Sequence, residues 1–302
     1  MGKVSKYIKN LFTLKNINKT KDVALVLSGG GARGYFHIGA IEALREKGYN
    51  ITSVAGTSMG ALVGGAFANG KLDELKYISL QITRKKFLKL MNFSMGLDHI
   101  SNGDKIMDLF ENTFGKTVIE DLPIPFSCCA SNIITGEEHV FTSGSLSLAV
   151  RASISIPGLF KPLKIGNSLY VDGSIHNTLP LNRVKRTHRD LLIASNVNGK
   201  DNLPYNAYTE KKENSKGRLN NILQKLPFHG INLSANYINM AIRVANLSTQ
   251  VNTQLALQLT PPDLLIELPM DSYSLFDFDK ASELIKKGRE AMINILNNYE
   301  KL

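Results

Sequence analysis

Ser58 stands at the centre of "GTSMG" (Gly56–Gly60), a G-x-S-x-G pentapeptide between the apolar run "ITSVAG" and the small-residue run "MGALVGGAFANG". Between a strand and a helix, this spacing is that of a nucleophile elbow. The turn is so tight that the neighbours two places either side must lack bulk. The N-terminus of the following helix also turns its N–H dipoles toward developing negative charge. A second feature could supply donors for that charge. In "LVLSGGGARGYFHIGAIEAL" (Leu25–Leu44), Gly29, Gly31 and Gly34 fit G-x-G-x-x-G between a strand and a helix. That fingerprint also cradles a dinucleotide pyrophosphate, but there an acid about 20 residues on, at the end of the second strand, must hold the ribose. "ITSVAGTSMG" contains no acid, Glu42 and Glu46 fall inside the intervening helix, and no Gly-Lys-Ser/Thr follows the glycines. Strands of a parallel sheet deliver their C-terminal loops to one edge, so the glycine-loop amides are expected beside Ser58, facing an oxyanion. Glycine suits that position because a Cβ would hold the backbone away from its ligand.

A serine nucleophile requires a base. Of the six histidines, His176, His188 and His229 come late enough for a Ser-His-Asp arrangement. His188 lies among arginines in "RTHRD", and His229 follows a polar stretch. Asp172 ends the apolar strand in "LYVDGS" and precedes Gly173, so its carboxylate emerges at a strand-to-loop junction. Turn aspartates are common in such places. On the residues alone, an esterase with a histidine base remains open, as does a nucleotide-binding or regulatory module whose G-x-S-x-G is a packing turn.

The elements that must position these groups follow an α/β alternation. "VALVL" reads as a buried strand, Tyr35–Lys47 as a helix ended by Gly48, "ITSVAG" as a second strand and "MGALVGGAFANG" as a second helix. Leu72–Met91 reads as helix, crossed by Arg84, Lys85 and Lys86, and "GDKIMDLFENTFG" as another. "FSCCASNIITGEEHVFTSG" is a hairpin turning at Thr135 and Gly136, and Ser147–Ser153 a short helix that Pro157 cannot join. "KIGNSLYVDGS", "RDLLIASNV" and "DLLIELPM" read as further strands, and Lys280–Leu302 as an amphipathic helix. The pattern predicts a predominantly parallel sheet between helix layers in one domain, 23–302. A polar insertion at about 198–232 has the composition of a loop or lid.

Residues 1–22 stand apart. Six lysines (3, 6, 9, 15, 19 and 21) precede the first acid, Asp22, and Val4, Tyr7, Ile8, Leu11 and Phe12 share one helical stripe. A basic amphipathic helix of this kind suits a membrane interface or the flank of its own domain. Gly2 is followed by Lys6 rather than Ser or Thr at the sixth position, so the myristoylation pattern fails. The net charge of +10 favours anionic partners, yet no nucleic-acid motif accompanies it. No apolar run reaches the ~18 residues of a membrane span, and no secretory h-region is present. The adjacent Cys128 and Cys129 read as buried thiols of a reducing compartment, which points to the cytoplasm.

Together these residues resemble the patatin-like phospholipases. The likeness covers "SGGGARG" (Ser28–Gly34), "GTSMG", "RASISIPGLFKP" (Arg151–Pro162), "DGS" (Asp172–Ser174), "NTLPL" (Asn177–Leu181) and "FDFDKASELIKKGREA" (Phe276–Ala291). It implies a three-layer α/β/α, patatin-like fold and hydrolysis of lipid acyl esters, of phospholipase A or carboxylesterase type, by a Ser-Asp dyad and an acyl-enzyme. On that likeness Ser58 is the nucleophile, Asp172 the proton acceptor, and the amides of Gly30, Gly31 and Ala32 the oxyanion hole. Gly29, Gly34, Gly56, Gly60 and Gly173 are the motif glycines, and Arg33 braces the loop. No metal or organic cofactor is implied. The expected partners are a phospholipid or other lipid ester and, peripherally, an anionic membrane at its inner face; no nucleic acid is expected. Two departures stand out: Ser28 replaces an aspartate that many members carry, and Ser174 replaces a Gly or Ala, where its hydroxyl could bond Asp172 and lower its basicity.

Overall fold

The run "DVALVL" forms β1 (Asp22–Leu27), a strand buried on both faces. Val23, Leu25 and Leu27 point into a large core, whereas Ala24 and Val26 point into a smaller one. A strand covered on both sides needs a continuous apolar run, which is why the sequence shows no polar alternation here. The computed structural model describes residues 20–83, 85–86, 103–187, 189–202 and 235–301. The basic segment 1–19, most of the insertion (203–232) and His99, His188 and His229 lie outside the described residues.

From β1 the chain passes through a 3₁₀ turn (Gly31–Gly34) into α1 (Tyr35–Glu46), then β2 (Asn50–Thr57), α2 (Met59–Ala68) and α3 (Leu72–Gln81). Beyond residue 102 come α4 (Asp104–Phe114), the hairpin β3 (Phe126–Asn132) and β4 (Glu137–Phe141), and α5 (Leu146–Ser153). Ser145 caps α5 by accepting from the Leu148 N–H at 3.3 Å. Then follow β5 (Leu163–Ile165), β6 (Ser168–Asp172), β7 (Leu191–Gly199), α6 (Ala235–Leu259), β8 (Leu264–Pro269) and α7 (Ala281–Lys301).

The eight strands make one mixed sheet, ordered β5-β6-β3-β2-β1-β7-β8 with β4 added to β3. The central pairs β3/β2, β2/β1, β1/β7 and β7/β8 are parallel, and the pairs made by β4, β5 and β6 are antiparallel. β1 has β2 on one edge and β7 on the other, so the chain order reverses there, and the glycine loop leaves the sheet at that switch point. The helix layers are unequal. Residues of α1, α2, α4, α5 and α7 fill the large core on one face. On the other, Leu179, Leu181 and Val184 of a loop, with Ala256 and Leu257 of α6, cover the alanines of β1, β2 and β7.

Three local readings need correction. The expected Leu72–Met91 helix stops at Gln81, where Ile82 turns extended, at the first of two β-branched residues; residues beyond 86 in that reading lie outside the described set. "KIGNSLYVDGS" is two antiparallel strands joined at Gly166 and Asn167. The strand read as "RDLLIASNV" runs on past Val197, because Asn198 and Gly199 still belong to β7. Among the described residues no helix is long and apolar enough to cross a membrane.

Candidate active site

Strand β3 carries the geometry. Its first half pairs with β2, ending at Thr57 opposite Cys129. Its second half pairs with β6, whose last residue, Asp172, lies opposite Ala130. β4 occupies the opposite edge of β3 over Cys128–Asn132, so β2 and β6 share one edge and meet there end to end. Ser58 follows the end of one strand and Asp172 closes the other.

Ser58 adopts φ 53 and ψ −122, and among the described residues no other non-glycine has positive φ. Such a conformation costs about 1–3 kcal/mol and persists only where the surroundings enforce it. Here they do. The Ser58 N–H donates to Ser153 Oγ at 2.8 Å, and Ser153 Oγ donates in turn to the Cys129 carbonyl at 2.6 Å. This ties the elbow to the end of α5 and to β3. The motif glycines give the room. A Cβ on Gly56 would strike the Gly60 carbonyl, one on Gly60 the Leu27 carbonyl, one on Gly173 the Cys129 carbonyl, and one on Gly34 the Met59 side chain. A Cβ on Gly29 would strike Ser174 Oγ and stand 3.3 Å from Ser58 Cβ, so the glycine loop lies against the elbow.

Asp172 is 5% exposed. Burial pushes its carboxyl above the usual aspartate range; hydrogen bonds from the Ser58 side chain, the Ser174 N–H (2.8 Å) and the Ser174 hydroxyl oppose the rise.

The loop amides divide. Gly29 N–H donates to Thr178 O at 3.0 Å, and Asn198 Nδ2 donates to Gly29 O at 2.7 Å. Arg33, buried, donates to Gly30 O, Met270 O and Asn198 Oδ1, which is the bracing role expected of it. The expectation for Ala32 does not hold: its N–H donates to the Leu275 carbonyl at 2.9 Å. The 3₁₀ turn directs that amide toward the distant segment, and Gly31, at φ 57, lies so close that a Cβ would stand 2.6 Å from the same carbonyl. The N–H groups of Gly30 and Gly31 have no partner among the described residues.

Gly31 and Ser58 open into an apolar cavity of about 970 Å³, counting its mouth. Leu75, Ile78 and Ile82 line it from α3 and its end, and Ile106, Leu109 and Phe110 from α4. Ile156, Leu159 and Phe160 close one side, and Leu275, Phe276 and Phe278 another. The hydroxyls of Ser79 and Thr113 turn back to helix carbonyls at 2.7 and 2.8 Å. Tyr35 also lines the cavity, and Ser58 is the lining residue held in the elbow.

Comparison with known proteins accords with this arrangement. The family model for patatin-like phospholipases matches residues 25–184, more than half of the 302 residues. The chain belongs to the patatin-like phospholipase family. An uncharacterized NTE family protein of Mycobacterium tuberculosis is 42% identical to this patatin-like chain over 179 residues, 59% of this chain and 50% of its own. The lysophospholipase NTE1 of Debaryomyces hansenii is 28% identical over 99% of this chain and 19% of its own, and that of Neurospora crassa 31% identical over 89% and 18%. The chain thus spans half or less of the length of these relatives. Among solved structures, VipD from Legionella pneumophila covers 93% of this chain and 67% of its own at 16% identity, with a TM-score of 0.45.

Within this patatin-like site the described histidines are engaged elsewhere. His176 bonds Ser131 Oγ at 2.8 Å and Gly136 O at 3.0 Å, and His139 packs between Phe141 and Tyr170. His37 bonds Ser195 Oγ and Ser28 O. Cys128 and Cys129 are free, and burial pushes both thiols up. Sequence reasoning passed over Ser153, the anchor of the elbow amide, and the cavity wall. The wall had a signal: Leu75, Ile78 and Ile82, like Ile106, Leu109 and Phe110, recur at helical spacing.

Proposed function

We propose that this chain is a lipid acyl hydrolase working through Ser58 and Asp172. The observation that carries the reading is a coincidence of three properties at Ser58: a strained elbow, a side chain beside the buried Asp172 carboxyl, and a place in the lining of an apolar cavity. The family name, and the name lysophospholipase borne by the fungal relatives, favour a phospholipid or another lipid ester as substrate.

In this reading the acyl tail lies in the cavity and the ester carbonyl rests against Ser58. Ser58 Oγ attacks the carbonyl carbon while Asp172 takes its proton. The oxyanion accepts from the amides of Gly30 and Gly31, donors that need no reorganisation as charge develops. Collapse breaks the ester C–O bond, and the leaving alcohol receives the proton from Asp172. Water then attacks the acyl-enzyme, Asp172 takes its proton, and collapse returns a proton to Ser58 and frees the fatty acid. An aspartate of ordinary pKa, ~3.9, is a weak base for this work. Burial raises its basicity, and a bound tail that excludes water would raise it further.

The test is covalent labelling. A fluorophosphonate should form a stoichiometric adduct on Ser58, traced by peptide mass, and none on the Ser58→Ala chain. No adduct, together with measurable nucleotide affinity, would return the glycine loop to the nucleotide reading.

A further inference from the structure

A second cavity of about 880 Å³, counting its mouth, adjoins the one that Ser58 lines. Ile78, Ile82 and Leu109 line both, so the two hollows meet across these three aliphatic side chains. Their linings differ in kind. Among the described residues the Ser58 cavity has no Asp, Glu, Lys or Arg in its wall. Lys86 and Lys105, with Tyr77 and Gln81, complete the wall of the second. The change from an uncharged lining to a lysine-bearing one therefore falls at the three shared residues.

The elements that carry this partition are held from outside it. Lys76 Nζ, on α3 two residues before Ile78, donates to Glu42 Oε1 of α1 at 2.6 Å. Gly103 caps the start of α4, and a Cβ there would strike the guanidinium of the buried Arg151. Ile82 has left α3 as an extended residue and lines both cavities from the helix end. Ile78 and Ile82 are β-branched, so their χ1 angles are restricted and they swing aside less freely than unbranched side chains.

An acyl tail that starts from Ser58 gains from each methylene it buries until its end meets this partition. A longer tail must force branched side chains from their rotamers or emerge among lysines, and the gain per methylene is lost.

We infer that Ile78, Ile82 and Leu109 form the stop that sets the longest acyl tail the site accepts. The preferred substrate is then an ester whose tail ends inside the Ser58 cavity. The inference rests on the lipid-hydrolase reading and adds to it a limit on tail length.

Two measurements test it. The first is kcat/KM on p-nitrophenyl esters of saturated acids from butanoate to stearate. For the unaltered chain it should climb with tail length and then break downward. Ile82→Ala and Leu109→Ala should each move the break to longer tails. For the first tail beyond the parent's limit, each should raise kcat/KM about tenfold or more relative to butanoate. Gln81→Ala, in the wall of the second cavity alone, should leave the break where it was.

The second measurement is displacement of a bound fluorescent fatty acid from the Ser58→Ala chain by fatty acids of the same lengths. Affinity should break at the same length, and the break should move with the same two substitutions. Binding needs no nucleophile, so a chain that binds with this break yet hydrolyses nothing would refute the dyad and keep the stop. Folded variants that keep the parent's break in both measurements would overturn the inference. So would a parent whose values rise unbroken to stearate, or a break that moves with Gln81→Ala. Absence of both hydrolysis and fatty-acid affinity would overturn it together with the lipid reading. Ile82 and Leu109 lie on different elements, so loss of the fold in one variant leaves the other to decide.

Discussion

Serine meets a base at more than one place in this molecule: Ser131 with His176, Ser195 with His37 and, in the proposed dyad, Ser58 with Asp172; the last two make the comparison. Ser195 Oγ lies 2.8 Å from His37 Nδ1, the contact most often sought in a serine hydrolase. Yet Ser195 and His37 are both fully buried, and neither lines a described cavity. His37 Nε2 faces the Ser28 carbonyl at 2.9 Å and must donate to it, which leaves Nδ1 to accept from Ser195. Burial lowers the imidazole to a pKa of about 4. The pair is a neutral strut: it ties α1 to β7 and to the carbonyl that precedes the glycine loop. In the proposed dyad the base for Ser58 is an acid by habit, but burial drives the Asp172 pKa up, toward greater basicity, and the serine lines an apolar cavity. A donor and acceptor at bonding distance do not make a nucleophile; access and the direction of the pKa shift do.

The hardest way to break this comparison is at Ser58. Ser58→Ala should lower turnover of a soluble ester by ~10⁴–10⁶-fold with an unchanged unfolding midpoint. Retention of a tenth of the activity would end the nucleophile assignment. Asp172→Asn should lose nearly as much, because the amide keeps the shape but cannot take the proton. It should also raise stability at neutral pH. A carboxyl whose folded pKa is raised stabilises the fold only while protonated, and that contribution is lost as pH rises through the folded value. An active, folded Asp172→Asn enzyme beside one inactive histidine variant would replace the dyad by a triad.

Acid separates the two sites. Activity should fall as pH drops through the raised pKa of Asp172, so the acid limb of kcat/KM should lie above 3.8. His37 acts on stability instead. Its folded pKa is about 4 against 6.5 for the free group, so the unfolded chain takes the proton first. Stability should decline between pH 6.5 and 4, by about 3 kcal/mol in all. Denaturant titrations across that range give the slope, and His37→Gln should flatten it. The same variant should cost about 2–4 kcal/mol at pH 7, since it leaves buried groups unpaired, while kcat per folded molecule changes less than about tenfold. The smallest effect belongs to Ser195→Ala: about 1 kcal/mol of stability and unaltered turnover, with a loss of activity on the scale of Ser58→Ala contradicting the strut.

Much of this was legible because it is local. The elbow, the glycine loop and the end of β6 are each encoded in fewer than ten consecutive residues, and steric demands on glycine announce them. What escaped depends on distant partners. The amide of Ala32 reads as a free donor until Leu275, far along the chain, is brought to it. His37 is one more residue of a helix until β7 delivers Ser195. α6 went unread because its apolar stripe faces outward and it carries almost no charge to mark a solvent side. The break at Ile82 has a similar origin: the residue leaves the helix, and its side chain lines the cavity between α3 and α4.

The end-to-end meeting of β2 and β6 on one edge of β3 has a kinetic consequence. Neither strand holds the other directly; each is placed by β3, and β6 arrives only after the long excursion through β4, α5 and β5. Pairings of that kind must meet the entropy of loop closure before any contact rewards them. During renaturation the helices and the β1–β2 unit can therefore form while Asp172 is still absent from Ser58. In the proposed dyad, recovered turnover would report the arrival of β6, and should lag the return of helical signal.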